Sequence, residues 1–578
     1  MNGKIIVSAV SLILVVGVAI GVVFAVQKNG SDPEVKAQQK SVMIICKNTN
    51  DPRYCSEVLS SAHVPNVADP KSYLTVLVNS TTEKVIKAFN LTDRLSSEHG
   101  GKDNGVKVGL DACKHMLELA LDSLELSSNL VRDNNIQTIN FQIPDFSNWL
   151  SSVISYKQTC LEAFDDDKEE EKKIKEKLDT ESLENIKKIT AIGLDIIADL
   201  TKILEEFNVK LELKPVSRRL LNVVDVEVDE ENIPTWFSHE ERKLLGKGWR
   251  NRINKPNVVV AKDGSGQFKT IKDAIDSYPK GFTGRYIIYV KAGIYEEFIT
   301  VPKTSVNLLI YGDGPQKTVV TGKRSFGSGI KTMLTATFSN EARGFIARSM
   351  KFENSAGPQN HQAVAFRNTG DGSAAVGCHF DGFQDTLYVH ANRQFYRNCE
   401  ISGTIDFIFG TSRTLIQNSK IIVRKPEVER GQFNTVTAEG TEISNMGTGI
   451  VIQNCQIVPD AALYPIRFQV KSFLGRPWKK CSTTVVMESV IGDFIHPEGW
   501  APWMGTAFLD TLYYAEYANT GPGADVKGRI NWKGYHGIIS KAEAQKFTSQ
   551  VILQAGPDSS TSWLRKVHVP NYLGFARP

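Results

Sequence analysis

Apolar residues change their spacing along this chain, and each change marks a different kind of structure. Residues 5–26 carry no charge and lie between Lys4 and Lys28, a run long enough to cross a bilayer as a helix. From about 40 to 205 the apolar positions recur at helical spacing. Leu110, Cys113, Leu117, Leu121 and Leu124 share one face of a helix expected over 106–130, and a second helix is expected over 183–207. Glycine is scarce from 106 to 205, as a helix bundle requires. The densely charged run 165–177 reads as a solvated helix or loop. From Asn257 the texture changes to short β-branched and aromatic runs bounded by Gly, Asp and Pro: Val258-Val259-Val260, then 286–290 and 308–311. A short helix at 270–278 would cap an otherwise open sheet end, and a helix at 541–553 would pack outside.

Within the second half a period near 20 residues emerges. Cys378-His379-Phe380, Cys399-Glu400-Ile401, Ser419-Lys420-Ile421 and Cys455-Gln456-Ile457 repeat a small, a polar and an apolar residue, at steps of 21, 20 and 36. Three of them follow an asparagine, Asn398, Asn418 or Asn454. A fixed period with short β-rich pieces is the mark of a parallel β-helix, whose coils stack at about 4.8 Å. The last step leaves room for an inserted loop. Gln384-Asp385-Thr386-Leu387 and Asp406-Phe407-Ile408-Phe409-Gly410 place two aspartates 21 residues apart, with Gln362 22 residues before Gln384. On stacked coils these residues fall on three neighbouring turns of one face. Two carboxylates so close split their pKa values, which gives one anion and one proton carrier.

Five ordered blocks carry a specific resemblance. They are Gly293-Ile294-Tyr295-Glu296-Glu297, Gln362-Ala363-Val364-Ala365-Phe366, Gln384 to Leu387, Asp406 to Gly410, and Leu474-Gly475-Arg476-Pro477-Trp478. Residues 251–578 thereby resemble the plant pectin methylesterases. Cys46 to Cys55, with Cys113 and Cys160, gives 40–205 a looser resemblance to the plant pectin methylesterase inhibitor family. The implied architecture is an all-α four-helix bundle followed by an all-β right-handed parallel β-helix. The implied disulfides are Cys46–Cys55 and Cys113–Cys160. The implied reaction is hydrolysis of the C6 methyl esters of homogalacturonan to pectate and methanol, with no cofactor or metal.

The residue types suit that chemistry. Asp406 would attack the ester carbonyl as a carboxylate. Gln362 and Gln384 would offer amide N–H groups to the oxyanion. Asp385 would protonate the leaving methoxide and then activate water. Arg476 would pair bidentately with Asp406 and keep it ionised. Trp478 offers a flat face to a sugar ring, and Thr332 matches a substrate-contacting threonine of the family, with Thr335 and Thr337 close by. Gly293, Tyr295 and Glu297 are expected to hold a turn. No Gly-x-Ser-x-Gly elbow is present. A retaining glycosidase would also use two close carboxylates, but an oxocarbenium centre has no use for the glutamine amides. A pectate lyase would need a calcium cluster of acidic residues, which is not seen. A non-catalytic inhibitor would not need a full catalytic set. Many relatives carry a cysteine where this chain has Ser419, so the resemblance leaves Cys455 without that partner.

Charge and cysteine usage refine the picture. Residues 246–578 hold 39 Lys and Arg against 26 Asp and Glu, whereas 1–245 hold 29 against 38. A basic half suits an acidic polymer, and an acidic half attached to it favours self-association. No basic-aromatic run points to nucleic acid. Eight cysteines divide four and four between the halves; in an oxidising compartment the first four read as two disulfides. Residues 1–28 read as a signal-anchor or signal peptide, which sends the chain into the secretory pathway toward the cell wall, with membrane attachment before processing. Asn29, Asn79 and Asn90 begin glycosylation sequons. The polar connector 206–250 holds Arg218-Arg219 and Arg242-Lys243, sites that in the resembled family are cut by subtilisin-like proteases, releasing the enzyme from its own inhibitor-like pro-domain, for which the resemblance implies an autoinhibitory or a chaperoning role.

Overall fold

The repeat read from the cysteines is a structural ladder. In the computed structural model, which describes residues 33–99, 104–211, 256–554, 563–567 and 569–576, His379, Glu400, Lys420 and Gln456 stand in direct register on successive parallel strands. Every strand pairing from Val258 onward is parallel. The strands form an 11-stranded, an 8-stranded and a 7-stranded sheet, each coil adding a rung to the stack. This is the expected β-helix. Its interior is filled by like residues stacked on like: Phe338 lies on Phe366, and Phe352 on Phe380, each pair with ring centroids 5.5 Å apart. The asparagines turn one corner. Asn398, Asn418 and Asn454 have φ of 51°, 55° and 52°, a left-handed backbone that asparagine tolerates better than most residues. Asn418 donates to Asn398 at 2.6 Å and Asn454 to Asn418 at 3.0 Å. Cys378, Cys399 and Cys455 are free and buried. Ser419 sits beside Cys455, its N–H 3.3 Å from the sulfur.

The expected end cap is a single helical turn, Ile271–Asp276, with Thr270 as its N-cap. The residues 293–297 differ from expectation. Gly293–Glu296 is a strand paired with Thr318–Gly322, and Glu297 accepts the N–H groups of Ile271 and Lys272. The outer helix expected at 541–553 is broken into Lys541–Ala544, Gln545–Phe547 and Ser549–Ile552, because Thr548 is extended there, with φ −73° and ψ 159°. These turns still pack outside, against a cluster that includes Phe395, Leu415, Val451 and Val485.

The first half is helical: α1 (Pro33–Cys46), α2 (Pro52–Ser61), α3 (Pro70–Glu98), α4 (Asn104–Asp133), α5 (Ile136–Phe141), α6 (Ile143–Glu162), α7 (Glu169–Leu178), α8 (Glu184–Ala198) and α9 (Leu200–Glu206). Helices α3, α4, α6 and α8 make the four-helix bundle, with Cys46–Cys55 joining α1 to α2 and Cys113–Cys160 joining α4 to α6. Of the α4 face read from sequence, Leu110, Cys113, Leu117 and Leu124 are fully buried and Leu121 partly. The expected helix 183–207 breaks at Asp199, which has left helical geometry (φ −101°, ψ 7°) and whose carboxylate accepts from Asn48 and Lys202. The charged run 165–177 is helical but not wholly solvated: Glu171 is fully buried because it meets Lys331 of the β-helix. Asn79 and Asn90 are exposed on α3. Among the described residues no helix is long and apolar enough to cross a membrane. The segment 5–26, Asn29, Arg218, Arg219, Arg242 and Lys243 lie outside the described residues.

Helix α6 shows how the two halves fit. Most of it is buried, including Asn148, Ser151, Ser155 and Thr159. One side packs in the bundle and the other crosses the rungs of the 7-stranded sheet. Ser151 Oγ donates to Met446 O and Ser155 Oγ to His390 O, each at 2.7 Å, and Asn148 donates to Asn392 at 3.0 Å. A buried hydroxyl with such a partner contributes about 1 kcal/mol, and one without costs about 1–3 kcal/mol.

Candidate active site

Strand register places the two aspartates. Leu387 pairs with Ile408, and Phe366 with Leu387, so Asp385 and Asp406 each lie two residues before aligned strand positions on adjacent coils. Both have left-handed backbone, φ 63° and 50°, an uncommon conformation that re-aims the side chain just before the strand starts. Both side chains are almost buried, 7% and 4% exposed, and both line a cavity of about 310 Å³. Gln362, Gln384, Thr332, Arg476 and Trp478 line the same cavity. All seven site residues read from sequence therefore converge.

Their environments differ. Arg476 grips Asp406 with two bonds, Nε to Oδ1 at 2.8 Å and Nη2 to Oδ2 at 2.6 Å. Thr435 adds a third, donating from Oγ1 to Oδ1 at 2.6 Å while accepting the Asp406 N–H at 2.8 Å. A bidentate guanidinium favours the anion. Asp385 has no such clamp. Burial first, then the charge of Asp406, pushes its carboxyl well above the usual carboxylate range. The clamp on one aspartate and its absence on the other make the pair unequal, and Asp385 is the one pushed toward its protonated form. Among the described residues, the side-chain Oε1 of Gln362 is buried and has no hydrogen-bond partner. Thr332 opens a short turn to the cavity, whereas Thr335 and Thr337 are tied up in bonds to Thr332 O and Glu353 O.

Aromatic side chains build the walls. Tyr388 stacks on Phe409 at 4.3 Å and on His390 at 4.4 Å. Trp478 meets Phe409 edge-on at 6.0 Å, and Arg476 lies 4.3 Å from the Trp503 ring. Burial drives the His390 pKa well down, helped by the charge of Arg367. Its Nδ1 accepts from Arg367 at 3.3 Å and its Nε2 faces Thr159 at 2.7 Å.

Sequence reading missed Thr435, Tyr388, Phe409 and Trp503. Thr435 lies 29 residues after Asp406, on a coil whose inserted loop hides the period. It also missed the roof. Thr159 and Glu162 of α6 close the cavity from the helical half, and Glu162 pairs with Lys479 at 2.8 Å. Nothing in their own spacing separates them from other polar positions on that helix.

Comparison with known proteins agrees with this division. Residues 257–556 match the family described as pectinesterase, and 40–196 the family described as plant invertase/pectin methylesterase inhibitor. Pectinesterase 4 of Arabidopsis thaliana is 40% identical over the whole of both chains. A probable pectinesterase/pectinesterase inhibitor of Brassica napus is 39% identical over 99% of this chain and all of its own. The solved pectin methylesterase from carrot shares 45% identity with a TM-score of 0.54, covering 56% of this chain and 99% of its own. With its paired carboxylates on stacked coils and an inhibitor-family bundle in front of them, this chain belongs to the pectinesterase family of carboxylic ester hydrolases.

Proposed function

We propose that the β-helix hydrolyses C6 methyl esters of homogalacturonan, and that the helical domain holds it inactive in the same chain. The observation that carries the first part is the asymmetric pair: Asp406 clamped by Arg476 and Thr435, with Asp385 kept as an acid one coil away. Asp406 attacks the ester carbon, and the tetrahedral oxyanion takes amide N–H bonds from Gln362 and Gln384. The carbon–methoxy bond breaks, and Asp385 gives its proton to the leaving oxygen, forming methanol. Asp385, now a carboxylate, takes a proton from water, and the hydroxide attacks the acyl-enzyme. The bond from the acyl carbon to Asp406 breaks, restoring Asp406 as a carboxylate with Asp385 again an acid, and the uronic acid leaves, giving its remaining proton to bulk water to become galacturonate. Trp478 and Thr332 hold the sugar chain. Because Asp385 must start protonated, the rate falls as pH rises through its raised pKa.

The second part rests on α6, whose Thr159 and Glu162 close the cavity where a polymer would lie. Release would follow cleavage at Arg218-Arg219 or Arg242-Lys243 by a subtilisin-like protease, in the secretory pathway, with the segment 5–26 tethering the chain to the membrane until then. The enzyme then acts in the cell wall.

The test is methanol release from highly methylated pectin by residues 246–578, beside Asp406→Ala. The wild-type fragment is expected to release methanol, and the substitution to reduce the rate by about 10⁴-fold or more. Adding back residues 40–205 should suppress it. Equal rates in the two fragments would remove Asp406 from the nucleophile's role. Reducing ends without methanol would mean glycosidic cleavage instead.

A further inference from the structure

The helical half has a cavity of its own. It holds about 530 Å³ and is lined by Lys87, Asn90, Leu91 and Arg94 of α3, together with Glu181 and Ser182. The last two belong to a π turn, Asp179–Leu183, set between α7 and α8. Such turns are rare and often mark functional positions. Here the turn changes what a hydroxyl does. Thr81 and Thr92 of α3 and Thr190 of α8 each donate to the carbonyl four residues back. Ser182 is 3% exposed, yet its Oγ has no hydrogen-bond partner among the described residues. A buried hydroxyl left without a partner is costly, so the wall of this cavity holds a polar group with bonding capacity to spare.

Asn90 opens the sequon Asn90-Leu91-Thr92 and is exposed at the rim. Lys87, Asn90 and Arg94 fall at i, i+3 and i+7, so they form one stripe along α3. A sugar attached to Asn90 Nδ2 therefore starts within the lining of the cavity. We propose that Asn90 carries an N-glycan whose first N-acetylglucosamine rings fold back into this cavity and brace α3 against the π turn. This rests on the secretory route proposed above, where a lipid-diphosphate oligosaccharide is the donor. Nδ2 bonds to the anomeric carbon of that oligosaccharide, the bond from the same carbon to the diphosphate oxygen breaks, and the amide gives a proton to the released diphosphate. The chemistry of the sugar matches the lining. Its N-acetyl methyl and ring C–H groups suit Leu91. Its hydroxyls and acetamide oxygen suit Lys87, Arg94 and the unpaired Ser182 hydroxyl, and Glu181 accepts from hydroxyls. The volume falls in the range of about 300–1,000 Å³ that holds small ligands. Thr92 is fully buried, and its hydroxyl donates to Ala88 O. The acceptor sequence can thus be presented only before the bundle closes, and the glycan is in place when α3 meets the π turn.

The test uses the full chain secreted by eukaryotic cells that attach high-mannose glycans. Peptide mass spectrometry gives the occupancy of Asn79 and Asn90. An endoglycosidase that cuts between the two core N-acetylglucosamines then trims the protein, either folded or denatured. Asn79, exposed on the same helix about three turns earlier, is the internal reference. The Asn90 glycan is expected to be trimmed about tenfold more slowly in the folded protein than in the denatured one, with little change at Asn79. Lys87→Ala combined with Arg94→Ala alters two exposed side chains and leaves the sequon intact. It should bring the Asn90 rate to within about threefold of the denatured value, and Ser182→Ala should act in the same direction. Asn90→Gln should lower the thermal midpoint of the helical domain by a few degrees, and Asn79→Gln should not. An Asn90 glycan trimmed as fast in the folded protein as in the denatured one would overturn the brace. Sugar at Asn79 with none at Asn90 would overturn the site and leave the secretory route standing. Sugar at neither would overturn both.

Discussion

The floor and the roof of the cavity are built on different principles. On the floor, the two aspartates sit at the same offset from strands that are locked to each other by parallel hydrogen bonding, so spacing in the sequence becomes spacing in space. The roof is one helix, α6, that buries polar side chains on a surface contributed by another domain. Ser151, Ser155, Thr159 and Asn148 each find a partner in the second half, in a backbone carbonyl, a ring nitrogen or a side-chain amide. The floor is therefore rigid and self-contained, whereas the roof depends on docking.

The comparison can be broken at the floor by Arg476→Lys in the isolated β-helix. An ammonium replaces a planar fork and loses one of the two bonds to Asp406. The rate should fall about 10²-fold with the thermal midpoint little changed. A rate within twofold of wild type would show that the clamp does not set the nucleophile.

At the roof, Asp145 accepts from Arg393 Nη1 at 2.5 Å, and Arg393 is otherwise held by Asp371 and Gln554 O. Asp145→Ala should raise the dissociation constant between the two halves, after a cut in the connector, by about tenfold or more, since a hydrogen bond to a charged group is worth about 1.5–3 kcal/mol. Activity of the freed β-helix is unaffected by design, because Asp145 is not part of it. A dissociation constant equal to wild type would mean that Asp371 alone satisfies the guanidinium.

The smallest effect is at the rim. His115 of α4 lies against Glu118 on its own helix and Glu341 across the interface, 2.7 Å away, with Arg367 also near. The carboxylates raise its pKa to about 9. A raised value means that its contribution to docking is complete below about pH 6.5, the ordinary histidine value, and is lost as pH rises through about 9. Docking should weaken a few-fold between pH 6.5 and 9, and His115→Gln should flatten that dependence. An unchanged slope in the variant would place the titrating group elsewhere.

The same contrast explains what could be read from the chain. The β-helix, Gln362, Gln384, Asp385 and Asp406 were legible because the period survives in Cys378, Cys399 and Ser419 and in the matched spacing of the two aspartates, whereas Arg476, Trp478 and Thr332 were legible only through the resemblance of their segments to a known family. Thr435 was hidden where an inserted loop stretched the coil, and Trp503 because it lies outside the strands. In the bundle, the face of α4 was legible from its leucines. The burial of Glu171 was not, because its partner Lys331 is 160 residues away and a charged run on a helix normally faces water. The breaks at Asp199 and Thr548 are local backbone choices that apolar spacing does not record.

The asparagine corner has a consequence for how such proteins diversify. The step from Ser419 to Cys455 is 36 residues where its predecessor is 20, yet Asn454 still donates to Asn418 as Asn418 does to Asn398. The added length is looped out over 424–433 and 440–448, between strands that keep register. Insertions and deletions on that edge are thus absorbed without moving either aspartate. Descendants of one ancestral coil stack can remodel the banks of the groove, and with them the polymers they accept, while the reacting pair stays where it was.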